Sequence, residues 1–223
     1  MAMPILQGKL RGYRFIAAAS QHGCWLGSYE YHKRLLLESM ITEGSVVFDL
    51  GAHVGFYTLL SSVLVGPSGR VFAFEPLPRN SFYLKKHIQL NNINNVTFIE
   101  AAVSDFSGWT FFDEVPGNIG SYRGQISPEG KLKIKTVGLD DFIERSEIPI
   151  PKFVKIDIEG NEMLALSGAK SLLAEAHPTL FLSTHGPIIH KECCHFLKSL
   201  GYRLSSIDNK DIEKTKEVLA IYK

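Results

Sequence analysis

The chain has only three cysteines in 223 residues, Cys24, Cys193 and Cys194. Three thiols, two of them adjacent, exclude a disulfide framework, and reduced cysteines are expected. Charge of one sign is also missing: 24 Lys and Arg stand against 23 Asp and Glu, a formal net charge of +1. No overall basic field gathers nucleic acid or an anionic membrane. There is no run of about eighteen apolar residues and no secretory series at the start, so no membrane partner is read and a soluble, cytoplasmic chain is expected. Repeats and low-complexity segments are absent too. At 45% hydrophobic content, this length supports one sizeable core and one domain.

Glycine is scarce where a diphosphate site would need it. Residues 46–60 read VVFDLGAHVGFYTLL: an apolar run closing on Asp49, a turn holding Gly51 and Gly55, then apolar residues at helical spacing. A pyrophosphate turn needs G-x-G-x-x-G, and a P-loop ends in Lys and Ser or Thr. Here His53 stands at the second glycine position and no lysine follows. Residues 71–76, VFAFEP, form a second apolar run ending in Glu75. An acidic residue at the tip of the second strand of a doubly wound sheet is placed to accept ribose hydroxyls, while the glycine turn admits a ligand close to the backbone. Together they read as a nucleoside-cofactor site.

D-x-G-A-x-x-G followed by an acidic strand end resembles motifs I and II of the class I S-adenosylmethionine-dependent methyltransferases. Residues 153–173, FVKIDIEGNEMLALSGAKSLL, give a buried strand, an acidic turn (Asp157, Glu159, Gly160) and an amphipathic helix. K-I-D-I-E-G-N-E followed by Gly-Ala looks like the signature of the FkbM-type methyltransferases. GSYE at 27–30, EAAVSD at 100–105, GNIGS at 117–121 and VGLDDFI at 137–143 agree with it, so the resemblance covers roughly residues 27–205. It implies a Rossmann-like α/β fold: a mostly parallel twisted sheet of order 3-2-1-4-5-7-6, strand 7 antiparallel, with helices on both faces. It also implies S-adenosylmethionine as cofactor, S-adenosylhomocysteine as product, and O-methylation of a hydroxyl on a small molecule, sugar or glycan. A nicotinamide-dependent oxidoreductase would use the same ribose carboxylate but lacks its third glycine. An RNA-methylating or nucleic-acid-binding module would need a basic field and an N-P-P-[YFW]-type turn.

The expected organisation is an N-terminal extension over 1–28, loop with a short strand, packed on a single methyltransferase domain over 29–223 with an inserted hairpin or loop at about 104–136. Strands are expected at 46–49, 71–75, 96–101, 153–157 and 179–183, with an antiparallel pair at 202–207 and 217–222. Helices are expected at about 29–41, 55–65, 78–91 and 188–200. The alternating KLKIKTV stretch, lysines outward, suggests a charged edge that discourages pairing with another chain.

The resemblance and the residues together nominate the site. Gly51, Ala52, His53 and Gly55 would floor the methionine part, with Asp49 holding the turn or the amino group and Glu75 the ribose; capping of the following helix is the alternative for both carboxylates. Ala101 and Ala102 would face the adenine, with a plain strand end as the alternative. Phe56 would pack on the cofactor, with core packing as its alternative. Asp157 and Glu159 lie on the reacting side, where two carboxylates stabilise a sulfonium or orient a hydroxyl; capping of the next helix is the alternative. His185, in STHGP, is the candidate general base, because histidine titrates near neutral pH. Many family members carry an acidic residue where this chain has Ser183, which leaves an acid–histidine dyad in question. Tyr29, Glu30, Asn118, Ser121, Tyr122 and Arg123 are candidate acceptor contacts. No metal is expected: the acidic turn has no histidine at ligand spacing, and His190, Cys193, Cys194 and His195 read as part-buried helix residues rather than a zinc set.

Overall fold

The computed structural model describes residues 1–116, 122–127, 129–146 and 148–223. The chain opens with β1 (Ala2–Pro4), β2 (Arg14–Ile16), α1 (His22–Leu26) and α2 (Tyr31–Met40). Then come β3 (Val46–Leu50), α3 (Phe56–Val65), β4 (Arg70–Phe74), α4 (Pro78–Leu90) and β5 (Val96–Ile99). A second group follows: β6 (Ala102–Val103), β7 (Gly108–Pro116), β8 (Tyr122–Ile126), β9 (Leu132–Val137) and α5 (Leu139–Ser146). The remainder is β10 (Phe153–Ile156), α6 (Glu162–Ser167), α7 (Lys170–Glu175), β11 (Thr179–Ser183), α8 (Pro187–Ser199), β12 (Tyr202–Ser206) and β13 (Glu217–Tyr222).

Seven strands form the main sheet in the order β5-β4-β3-β10-β11-β13-β12, which is 3-2-1-4-5-7-6 counted along the chain. β3, β4, β5, β10 and β11 are parallel, and β13 runs antiparallel to both neighbours. This is the Rossmann-like class I methyltransferase fold. Parallel strands are covered on both faces, and successive residues serve opposite cores. Phe48, Leu50, Phe74, Ile156 and Leu182 pack with Leu166 and Leu173 of α6 and α7 and Leu197 of α8. Val47, Val71, Phe153 and Phe181 pack on the other face with Leu37 of α2 and Leu59 and Leu60 of α3. Among the described residues no helix is long and apolar enough to cross a membrane.

Three expectations need correction. Residues 1–28 hold more than loop and one short strand: β1 and β2 pair antiparallel, α1 follows, and Phe15 is buried against the His87 ring of α4, centroids 4.1 Å apart. Three-residue strands carry too little alternation to show in a sequence. The third strand stops at Ile99, because Glu100 begins a turn closed by the Ala101 amide on the Ile99 carbonyl. The stretch after it is more than a hairpin. β6, β9, β7 and β8 make a separate four-stranded sheet, with β6 parallel to β9 and the other pairs antiparallel. Phe112 and Ile134 pack with Ala102 of β6 and seat that sheet on Leu77.

Candidate active site

The crevice lies at the carboxyl ends of β3, β4 and β10, where a doubly wound sheet binds its ligands. Gly51 has φ of +74°, and a Cβ there would overlap the carbonyl oxygen of Asp157. Glycine is therefore required for the tips of β3 and β10 to meet. Behind this turn the fully buried Asp49 accepts hydrogen bonds from Thr58 Oγ1 (2.6 Å) and Lys155 Nζ (2.9 Å), and Lys155 also donates to the Gly51 carbonyl (3.0 Å). Asp49 thus holds the turn from the rear and does not line the crevice. Gly55 is likewise behind the wall, with φ of +92° and a Cβ position that would collide with Leu84. Gly51, Ala52, His53 and Phe56 do line it.

Glu75 faces them and is buried. Its carboxylate accepts the His53 amide (2.9 Å), the Leu77 amide (3.0 Å) and Asn80 Nδ2 (3.2 Å). A carboxylate offers about four lone-pair positions, so these three donors leave room for one ligand hydroxyl. The Leu77 bond also makes Glu75 part of the entry to α4. Burial pushes its carboxyl up to about 7 against those hydrogen bonds. Ala101 and Ala102 form an apolar wall beside it, joined by Phe112 and Gly124 of the small sheet. Ser20, Gln21 and Cys24 from the N-terminal segment close another side, a contribution that sequence reasoning missed.

On the far side lies a charge cluster. Lys33 of α2 is 3% exposed, and its Nζ sits 3.2 Å from Glu30, 3.4 Å from Asp157 and 3.1 Å from Glu217. It also donates to Ser183 Oγ at 2.5 Å. Burial alone would depress the Lys33 pKa, but the charges of Asp157, Glu30 and Glu217 outweigh it and raise it. Burial pushes Asp157 upward in turn, and Lys33, Lys155 and His185 overcome this to hold it at about 2. Glu30 accepts the Tyr57 hydroxyl at 2.8 Å, while Tyr29, Tyr57, Asp157 and Glu159 line the crevice. His185 stands behind them. Its Nδ1 is 2.8 Å from Glu162 Oε1, and its Nε2 is 3.4 Å from Glu159 and 3.7 Å from Asp157. Asn118 and Ser121 lie outside the described residues; Tyr122 and Arg123 open β8.

Three non-glycine residues here adopt left-handed backbone: Glu30 (φ 41°), His53 (φ 51°) and Glu159 (φ 54°). Such conformations cost on the order of 1–3 kcal/mol each and gather where a side chain must be aimed at a site. The spacing that excluded a metal also proves incomplete. Asp157, Glu159 and His185, from two different loops, bring ligand atoms within 4.8 Å of one another. By contrast, His190 bonds Thr184 Oγ1 (2.9 Å) and the Ile212 carbonyl (2.7 Å), and Cys194 lies 3.5 Å from it. Both ring nitrogens are occupied, and burial pushes the Cys193 thiol up to about 12.

The model of the methyltransferase FkbM domain matches residues 49–204, from Asp49 through the acidic turn to β12. The chain belongs to the FkbM methyltransferase family. It is 33% identical over 141 residues to the hexuronic acid methyltransferase AglP of Haloferax volcanii, an alignment covering 63% of this chain and 56% of that protein. Against a methyltransferase FkbM from Methylobacillus flagellatus KT the TM-score is 0.56 at 20% identity, over 80% of this chain and 43% of that one. A precorrin-6y C5,15-methyltransferase from Geobacter metallireducens GS-15 gives 0.55 at 20% identity, over 85% and 88%. The chain thus spans about half the length of the curated relatives it matches.

Within this FkbM-family chain, four charged residues of the site went unassigned in the sequence. Lys155 had a signal, a lysine inside an apolar parallel strand. Lys33 had a fainter one, sharing a helix face with the buried Leu37 four residues on. Glu162 had its place next to the acidic turn as its signal, as the first residue of α6. Glu217, in the last strand, had none.

Proposed function

We propose that the crevice binds S-adenosylmethionine and that the protein transfers its methyl group to a hydroxyl of a sugar, in the first instance a hexuronic acid. The sulfonium supplies an activated methyl carbon, so the remaining work is positioning and removal of one proton. The observation that carries this reading is the division of the crevice: the turn and Glu75 on one side, the carboxylates backed by Glu162-bound His185 on the other. The residues fit the cofactor. Glu75 keeps one acceptor position for a ribose hydroxyl, Ala101 and Ala102 give an adenine an apolar wall, and Asp157 and Glu159 place negative charge near a sulfonium. His185 Nε2, which faces Asp157 and Glu159, would accept the proton that the acceptor hydroxyl loses on methylation. The similarity to AglP supports a uronic acid acceptor.

The test has two parts. Calorimetry with S-adenosylhomocysteine above pH 7, where Glu75 is ionised, should show one site whose affinity falls at least about tenfold in Glu75→Ala, since a hydrogen bond to a charged group is worth about 1.5–3 kcal/mol. Undiminished binding would remove Glu75 from the ribose. Incubation with methyl-labelled cofactor and glucuronic acid or a glucuronide should then give a product one methyl heavier; label appearing only on RNA or small phenols would reject the sugar.

A further inference from the structure

The outer face of the small sheet carries an arrangement that methyl transfer does not use. β7 and β9 pair with Trp109 opposite Lys135 and Phe111 opposite Lys133. Alternation puts two aromatic rings and two ammonium groups on one face, while Phe112 and Ile134 are buried beneath. Trp109 is 58% exposed and Phe111 47%, large areas for apolar rings on neighbouring positions. Lys133 and Lys135 hold their Nζ atoms 5.2 and 5.6 Å from the centre of the Trp109 ring. Both ammonium groups lie over the ring, which stays exposed.

β6 covers β9 only at Thr136 and Val137. Residues 132–135 therefore form an open edge, which with Trp109 borders a depression walled by Pro76, Pro78 and Glu100. Glu100 is paired with Lys85 at 2.9 Å, so its charge does not cancel those of Lys133 and Lys135. Pro76 lines both this depression and the crevice beside Glu75, so the two are neighbours on either side of that residue.

We propose that this face is a second subsite that holds an acidic saccharide chain, with a sugar ring stacked on Trp109 and its carboxylates paired with Lys133 and Lys135. The proposal rests on the reading that the crevice takes a sugar hydroxyl and adds that the acceptor extends beyond one residue. A pyranose presents a face of C–H groups that packs on an aromatic ring, and a uronic acid adds a carboxylate that a lysine recognises. A nucleic acid would also stack and pair here, but the balanced charge of the chain gives no field to gather a phosphate backbone.

The probe is tetragalacturonate, compared with galacturonic acid and with neutral maltotetraose, by calorimetry on the full chain. Wild type should bind tetragalacturonate more tightly than either. Trp109→Ala should weaken that binding about tenfold or more while galacturonic acid and S-adenosylhomocysteine bind as before. The double variant Lys133→Gln/Lys135→Gln, both residues exposed, should show the same loss even if Trp109→Ala fails to fold, and raised salt should mimic it. Undiminished tetragalacturonate binding in these variants would overturn the proposal, as would wild type showing no preference for it. Tighter binding of a single-stranded RNA, lost in the same variants, would overturn it in favour of nucleic acid. Failure of the methyl-transfer reading looks different, because S-adenosylhomocysteine then fails to bind wild type.

Discussion

Glu162, buried and reached only through the fold, holds His185 by its Nδ1 at 2.8 Å. That bond fixes the ring so that Nε2 faces Glu159 and Asp157 and would be the atom that exchanges a proton with an acceptor. Burial opposes protonation of the ring, but the bond to Glu162 and the charges of Glu159 and Asp157 outweigh it, so its pKa is raised from 6.5. A base with a raised pKa is free only above it. Turnover is therefore expected to rise as pH climbs past 6.5 and then level off. Glu162→Gln should shift the inflection downward and lower the plateau by up to about 10²–10⁴-fold, the range of general-base catalysis. Initial rates across pH check it; an inflection that stays put would detach Glu162 from the base. The same raised pKa contributes stability below 6.5 that is lost as pH rises through the folded value.

Removing Lys33 should cost more than removing a surface lysine. Its three carboxylate partners are 22–31% exposed while Lys33 itself is 3% exposed. Breaking a buried pair by deleting one partner costs about 3–5 kcal/mol, and the partial exposure of the acids points to the lower end. Lys33→Met should lower the urea midpoint accordingly. Adding Glu217→Gln to it should recover part of the loss by removing one of the stranded charges. A midpoint indistinguishable from wild type would show that the cluster does not stabilise the fold.

The N-terminal segment should respond to acid before the rest of the chain. His87 Nε2 accepts the Ile16 amide at 2.9 Å and its Nδ1 donates to the Val54 carbonyl at 2.7 Å, so the ring is bound neutral. Burial lowers its pKa to about 4, against an ordinary 6.5. Protonation therefore favours the unfolded state: stability is full above pH 6.5 and is lost as pH falls toward 4. Melting curves should show that loss, and His87→Gln should flatten it. Amide exchange of Ile16 and Phe15 is expected to accelerate first; a uniform change along the chain would contradict this assignment.

Methyl transfer is expected to survive chelation. His185 Nε2 lies 3.7 and 3.4 Å from the carboxylates of Asp157 and Glu159, so the ring itself can take up the acceptor's proton there, and displacement at an activated methyl needs no Lewis acid. Rates with and without excess EDTA check this. Activity abolished by EDTA and restored by magnesium or manganese would make Asp157, Glu159 and His185 ligands instead.

Consecutive residues were the legible part of this protein. The turn at 51–55, the carboxylate ending β4 and the acidic turn after β10 each show in a short window, because strand, turn and helix place neighbours at fixed offsets. The sheet order came through the family resemblance and not from periodicity. Partnerships across the sheet were not legible: Lys33 meets Asp157 across 124 positions, and His185 meets Glu162 across 23. The doubt raised by Ser183 shows why. Ser183 bonds Lys33 and Glu217 instead, and the acid beside His185 comes from α6, on another loop. The small sheet was read as a hairpin because alternation reveals a strand but not its partner.

Gly51 has no side chain because the backbone of Asp157 occupies the place where one would go. The half of the crevice that would take the cofactor and the half that would take the acceptor are thus riveted at one point, and neither can shift without moving the other. Room for variation lies in parts not fastened there, the segment before α2 and the small sheet. A lineage changing its acceptor would be expected to rewrite residues 109–135 and leave 49–55 and 155–162 alone, as a toolmaker changes the jaw and keeps the hinge.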